Sequence, residues 1–411
     1  MLDAIHEHAG VGVHVLAPEI ETLFGAIMGS RSSFVNIDRG GLFLDLGGGS
    51  VQMAWADTRL PEYEVKAALA GVSLPFGAAR FIHVLQGDAK VAATQKEVLR
   101  SGMRSAFAIL CEKFPSLKEC LAAGQGLDVY LCGGGFRGYG SMLMHNDPVQ
   151  PYPIPSVGEY TVPGSFFSQT RRMQEVNEEF GGKIFAMSKR RRSQFPAVLE
   201  VLEAFIAAVP AIRTATFCTG SNRDGALLMK LPRELRESNP LEALANVSPA
   251  DKPVIDAATA VLRDALPKDQ DLSSVPTIFS LGLVPLFVQR IWYRLGEDVY
   301  TNAAYVLHEA VTRDPKAAGL THLARAVLGM TATARWGSSL GPIDAQLYTG
   351  LKGLLDAANK TSGFWAEYLG VVANILGIVI PFKPKKAEDI TNAIKYDTPI
   401  FSPPLSFLLF F

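Results

Sequence analysis

Apolar positions along this chain follow two different rhythms. In residues 1–145, short continuous apolar runs stop abruptly at glycines. GLFLDL ends in GGGS, VQMAWA follows at once, and LDVYLC runs into GGGFRG. Such runs, bounded by turn signals, predict buried strands. Between them, residues 87–123 repeat apolar positions every three to four residues, which predicts helix. Strands alternating with helices point to an α/β arrangement. Residues 146–165 hold five prolines and read as a loop or crossover. Residues 166–232 return to helical periods and end in TATFC followed by TGSNRDG, a third strand-to-glycine turn. From about residue 238 long helical periods dominate (VIDAATAVLRDAL, AAYVLHEAV, THLARAVLGMTATARW, AQLYTGLKGLLDAANK). The expected division is a partial first α/β domain over 1–145, a second α/β domain over 146–235, a mainly helical domain over 236–395 and a tail over 396–411. No fixed-period repeat or low-complexity stretch occurs.

Composition narrows the class. A chain of 411 residues exceeds what one hydrophobic core supports, so more than one domain is expected. Hydrophobic residues at 48% against 19% charged residues exclude a disordered chain. With 39 Lys+Arg against 40 Asp+Glu, no basic excess marks a nucleic-acid binder. Cys111, Cys120, Cys132 and Cys218 have neither CxxC spacing nor scaffold density, which fits a reducing, cytoplasmic location. The opening MLDAIHEHAGVGVHVL lacks the basic start of a secretory signal. The apolar stretch 369–382 is stopped by Pro381, and the tail 403–411 is too short to span a bilayer, so a soluble protein without a membrane partner is expected.

The candidate chemistry sits at the glycines. Asp45 ends an apolar run and Gly47, Gly48, Gly49 and Ser50 follow. Consecutive backbone N–H groups without Cβ shielding form an anion nest, and a strand-end carboxylate can hold a divalent cation such as Mg²⁺ beside phosphate. The competing reading is a plain glycine hairpin. Gly133, Gly134, Gly135 and Arg137 follow the second run, and Gly220 to Gly225 with Arg223 follow the third. Three such segments on one α/β scaffold are expected to meet in one cleft at the strand ends. Arg137 and Arg223 offer guanidinium forks for phosphate, whereas Arg80 reads equally as an exposed helix arginine. In SKRRRSQ (188–194) the four consecutive basic residues read as a solvated helix face, with anion attraction or nuclear targeting as the alternative. His308 and His322 read as packed or surface histidines, and Trp292, Trp336 and Trp365 as helical core.

These residues resemble a known family. LDLGGGSVQMAW is similar to the second phosphate loop, D-[IL]-G-G-G-S-x-E, of the exopolyphosphatase/guanosine pentaphosphate phosphatase (Ppx/GppA) family. LAPEIETLFGA (16–26), LPFGAARF (74–81), YLCGGGFRG and GSNRDGALL (220–228) resemble four further family motifs in the family's order. The wording is nearest to a fungal, retrograde-regulation branch. The resemblance implies an actin/Hsp70/sugar-kinase-like (ribonuclease H-like) α/β fold lacking the first N-terminal strands, with a mainly α-helical C-terminal domain. It implies Glu21 as the catalytic carboxylate that activates water, Mg²⁺ as cofactor, and polyphosphate or a guanosine or adenosine nucleotide as ligand. Signalling proteins are expected as partners and nucleic acid is not. Glu19 reads as a helix N-terminal acid.

The departures shape the functional expectation. No D-x-G-S/T occurs before Asp45, so the family's first phosphate loop has no counterpart in this sequence. The residue closing the second loop is Gln52 instead of glutamate; it is a candidate catalytic residue that can orient water or bind phosphate, although an amide cannot accept a proton. Pro18 and Asp224 replace a family glycine and glutamate. The expected function is phosphate-ligand binding in mitochondria-to-nucleus signalling, with weak or no phosphoanhydride hydrolysis. The alternative is an active Mg²⁺-dependent exopolyphosphatase or nucleotide phosphohydrolase. The segment KYDTPIFSPPLSFLLFF is expected as an exposed apolar end, and with it marginal stability.

Overall fold

A computed structural model describes residues 2–12, 15–31, 40–267, 276–312, 317, 319–337 and 339–394. The tail from residue 395 onward, with the expectations placed on it, lies outside the described residues. The chain divides into two units: Met1–Asp147 with Ser156–Ser238, and Pro148–Pro155 with Asn239–Phe411.

The first unit is built on one six-stranded mixed sheet. Its strands are β1 (Gly41–Leu46), β2 (Val51–Ala56), β3 (Val72–Leu74), β4 (Leu127–Cys132), β5 (Tyr160–Pro163) and β6 (Ile212–Phe217), in the order β3-β2-β1-β4-β6-β5. β1, β4 and β6 are mutually parallel, while β2, β3 and β5 pair antiparallel with their neighbours. The expected boundary at 145 does not separate two sheets, because β4 pairs directly with β6. β5 also corrects the reading of 146–165 as loop alone. Its alternating burial marks an edge strand, where Pro163 deprives the sheet of no ladder hydrogen bond it needs.

Helices cover both faces, as parallel strands require. On one face the helix Thr22–Met28, wound in the wider π form, buries Leu23, Ala26, Ile27 and Met28 against Phe43, Ala54 and Ala56. The other face is aromatic. Tyr139 packs with Phe167 and Phe195, and Phe217 lies against Tyr160, each fully buried. Burial of each such ring stabilises the fold by roughly 1.5–3 kcal/mol. The long helices Ala89–Lys113 and Lys189–Ala208 complete this layer.

Two of the three glycine segments differ from the turns expected. GGGFRG begins the helix Gly133–His145, and NRDG begins the helix Asn222–Leu228. Glycine is a poor helix interior residue, so sequence alone favours turns there.

The second unit is helical. Its longest helices are Lys252–Asp264, Val299–Thr312, His322–Arg335, Pro342–Ala358 and Ser362–Val379. Trp292, Trp336 and Trp365 are buried in it. Ser362–Val379 is long and apolar enough to cross a membrane, and Leu369, Ala373 and Leu376 on it are buried among the other helices. All four cysteines are free.

Candidate functional site

Parallel pairing fixes where the chemistry gathers. β1, β4 and β6 run the same way, so Asp45, Cys132 and Phe217 end at one edge of the sheet. Asp45 is in register with Gln52 on one side and Cys132 on the other. β1 and β4 release their glycine segments toward one cavity, whereas the segment after β6 packs Gly220 and Gly225 against the backbone of Gly29 and Phe24 and does not line it.

Gly47–Ser50 is a hairpin between β1 and β2, closed by Gly47 N–H donating to the Ser50 carbonyl at 3.1 Å. The segment is thus a glycine hairpin, the competing reading, and this geometry leaves the expected anion nest open. The turn is pinned from outside: Ala78 N–H donates to Gly47 O at 3.0 Å and Arg80 N–H to Gly48 O at 2.9 Å. Gly77 must be glycine, since a Cβ there would lie 2.3 Å from Gly48 C and Gly49 N. Gly48, Gly49 and Gly134 present the opposite case. None has left-handed backbone, and a Cβ would meet open space at Gly49 and Gly134 and ordinary contact at Gly48. Nothing in the fold of the chain requires glycine at these three positions. The Gly48 and Gly49 N–H groups donate to no group among the described residues. Both features suit a ligand that presses against backbone.

A cavity of about 310 Å³ lies over two of these glycines, Gly48 and Gly134. Gly47, Gly48, Gly134, Gly135 and Gly138 line it, facing Ser188, Arg190, Arg191 and Gln194. The basic run read as a solvated face thus borders the glycine cleft.

The carboxylates sit beside it. Glu21 ends the short helix Pro18–Glu21 at the start of the π helix, an irregularity frequent at functional sites. Its Oε2 accepts a hydrogen bond from Gln52 Nε2 at 2.8 Å, and the same amide donates to Ser50 Oγ at 2.8 Å. Gln52 is only 1% exposed, so the amide is committed to this bridge. Asp45 is pressed between Gly25 and Gly133. A Cβ at Gly25 would stand 2.4 Å from Asp45 Oδ2, and one at Gly133 would stand 2.4 Å from Asp45 Oδ1. Burial, with the Glu21 charge adding to it, pushes Asp45 up to about 6, while Arg137 acts against the rise.

Asn222 joins this group, and sequence reasoning missed it. The same Gly25 Cβ would lie 2.2 Å from Asn222 Oδ1, a buried oxygen that has no hydrogen-bond partner among the described residues. Two acceptors therefore crowd one spot with no donor between them. An all-oxygen set of this kind fits Mg²⁺, which takes one or two protein ligands and keeps waters or phosphates for the rest. The available signal was Asn222 at the start of a helix after a strand parallel to β1.

The remaining candidates are dispersed. Arg137 lies on its helix and donates to the carbonyls of Thr219 (3.3 Å) and Gly220 (3.4 Å). Arg223 is exposed on its helix and does not line the cavity. Arg80 is exposed, and Glu19 lies in the first turn of its helix. His308 Nε2 pairs with Asp344 Oδ1 at 2.7 Å, and His322 is buried against the Tyr152 hydroxyl at 2.7 Å. Cys132 is no nucleophile here. Its hydrogen bond with Cys218 and its burial both push its thiol well up.

Comparison with known proteins found similar chains for both parts of the sequence. Residues 239–396 match the RTG2 C-terminal domain. Over 420 aligned residues the chain is 27% identical to retrograde regulation protein 2 of Saccharomyces cerevisiae, covering 96% of this chain and 68% of that protein. Among solved structures, a Ppx/GppA phosphatase of Aquifex aeolicus is 13% identical with a TM-score of 0.38, covering 56% of this chain and 69% of the other. An exopolyphosphatase of Cytophaga hutchinsonii is 17% identical with a TM-score of 0.39, covering 55% and 67%. Residues 1–234, more than half of the chain, match the Ppx/GppA phosphatase family, and the chain belongs to that family.

Proposed function

We propose that this protein binds a phosphate-bearing ligand, a polyphosphate or a guanosine or adenosine nucleotide, at the glycine cleft together with Mg²⁺. In this reading it serves mitochondria-to-nucleus signalling as a regulator, with weak or no phosphoanhydride hydrolysis. The observation that supports the reading is that Gly48 and Gly134 line one cavity at positions where a Cβ would meet no steric conflict among the described residues. The regulatory role is supported by the similarity to a protein named for retrograde regulation.

Each residue has a role here. Backbone N–H groups of Gly48 and Gly49 meet phosphate oxygens, and Ser50 adds a hydroxyl. Asp45 and Asn222 would hold the cation, which when bound offsets phosphate charge. Glu21 is the one carboxylate placed to accept a proton from water, and Gln52 fixes its orientation. Phosphoryl transfer depends on charge stabilisation and positioning around the whole phosphoryl group. Here the turn side is present, and the amide of Gln52 stands where a second base would act. An active hydrolase is the second reading, favoured by Glu21 and Asp45 lying close enough to influence each other.

Calorimetric titration with tripolyphosphate and nucleoside triphosphates, run beside assays of phosphate release, separates the two readings. Binding is expected, with release no faster than from an Asp45→Asn variant. Release exceeding that of the variant by 10²-fold or more, about the share of one positioned catalytic group, would establish the hydrolase instead.

A further inference from the structure

The cavity wall facing the glycines is cationic, and no sequence motif of the cleft accounts for it. Arg190 and Arg191 stand at the start of the helix Lys189–Ala208 and both line the cavity, with Ser188 and Gln194 beside them. Arg191 is built in. Its backbone N–H donates to Ser188 Oγ at 3.2 Å and its Nη1 to the Ala186 carbonyl at 2.8 Å. Its side chain lies over Gly138, where a Cβ would be 3.9 Å from both Cβ and Cδ of Arg191. Arg190 is exposed and makes no side-chain hydrogen bond or ion pair among the described residues. Arg137 lies near enough that its charge, after burial, disfavours that of Arg191. Yet no carboxylate pairs with Arg137, Arg190 or Arg191 among the described residues, whereas Arg59, Arg213 and Arg236 each have one.

Arg190 and Arg191 on one wall of the cavity, with the unbonded Gly48 N–H on the other side, suit an anionic ligand. A cavity of about 310 Å³ holds more than one phosphate group. One phosphate seated on Gly48 and Gly49 leaves the arginine wall unmatched, and a chain of two or three reaches across.

We infer that Arg190 and Arg191 are ligand-binding residues, the second wall of a site that grips a condensed phosphate of at least two units between the glycine segments and the Lys189–Ala208 helix. The inference rests on the reading of the glycine cleft as a phosphate site. The shared chemistry is a phosphoanhydride chain, whether free or carried on a nucleoside.

The test is calorimetric titration of the full chain with orthophosphate, tripolyphosphate, ATP, GTP and the unphosphorylated nucleosides. The variants are Arg190→Gln, Arg191→Gln, Arg191→Lys and, as a charge-matched neighbour outside the cavity, Lys189→Gln. Tripolyphosphate and the triphosphates are expected to bind at least tenfold tighter than orthophosphate. Arg190→Gln and Arg191→Gln are each expected to weaken that binding by about tenfold or more. Arg191→Lys is expected to recover part of the loss, and Lys189→Gln to stay within about twofold. Arg190 makes no internal bond, so its variant reads binding without a folding defect, which thermal unfolding checks. If the parent chain binds tripolyphosphate and both glutamine variants bind it equally well, the arginine wall is wrong and the glycine site stands. If the parent chain binds none of the phosphates, both readings fall. Nucleosides binding as tightly as the triphosphates, or Lys189→Gln losing as much as Arg191→Gln, would also overturn the inference. Preference for tripolyphosphate over ATP and GTP assigns a free chain, and the reverse assigns a nucleotide.

Discussion

Asp45 shows how the burial of one carboxylate costs stability. Its pKa is raised from 3.8 to about 6, so the folded state binds its proton more tightly than the unfolded chain does. Stability associated with this group is therefore full below about pH 4, declines as pH rises to about 6, and stays lower above. At 1.36 kcal/mol per unit, the loss above pH 6 is on the order of 3 kcal/mol. Asp45→Asn is thus expected to be more stable than the parent by up to about 3 kcal/mol at pH 7.5 in chelator, with the difference vanishing near pH 4. Denaturant unfolding at both pH values checks this. Added Mg²⁺ should then stabilise the parent and leave the variant unchanged. Equal stability at pH 7.5 would show that the carboxylate is not strained by its surroundings. The cost was invisible in the sequence, because the helical segment carrying Glu21 and Gly25 and the segment carrying Gly133 both reach Asp45 from elsewhere in the chain.

At the scale of elements, the surroundings of the Gly47–Ser50 turn separate a glycine the fold needs from glycines where a Cβ meets no steric conflict. Gly77→Ala would drive a Cβ into the Gly48–Gly49 backbone at 2.3 Å, so the turn must move. The expected outcome is a loss of about 1–3 kcal/mol from overpacking, together with at least tenfold weaker tripolyphosphate binding. Gly49→Ala places its methyl in open space. Stability within about 0.5 kcal/mol of the parent is expected, with binding again at least tenfold weaker. Thermal unfolding and titration of the two variants form one comparison. Retained binding in Gly49→Ala would mean that no ligand approaches that backbone. The helix-start position of GGGFRG has a related logic. Gly133 adopts φ +91, and Gly135 packs against Leu46 of β1, so these two glycines serve the strand-to-helix junction while Gly134 faces the cavity.

The whole molecule divides in a way that sequence position does not suggest. Pro148–Pro155 interrupts the first unit in sequence yet belongs to the second. There, Tyr152 bonds His322, and Pro153 lies near Gly350, where a Cβ would meet it at 3.2 Å. Tyr152→Phe removes the hydroxyl from a buried histidine and is expected to cost about 1–2 kcal/mol in the second unit alone. Hydrogen exchange reads both units in one experiment. Faster exchange is expected around Thr321–Ala326 and unchanged protection in β1 and β4. Equal loss in the sheet would show that the strap supports the first unit as well.

Much of this protein was determined by sequence alone. Continuous apolar runs ending at glycines placed β1, β2, β4 and β6, and helical periods placed the long C-terminal helices, because burial on two faces or on one leaves its mark in consecutive residues. The Asp45–Ser50 loop was legible for the same reason: its chemistry is contiguous. The tertiary structure decided what non-contiguous residues do. Parallel pairing of β1, β4 and β6 brought Asp45 beside Cys132 and aimed Asn222 at the same spot. Antiparallel pairing set Gln52 opposite Asp45 and within reach of Glu21. Packing of the Lys189–Ala208 helix on the aromatic face turned a basic run, indistinguishable by composition from a solvated surface, into the wall of a cavity. Local patterning records burial and turn chemistry, whereas the meeting of distant side chains depends on register and strand direction, which no single segment encodes.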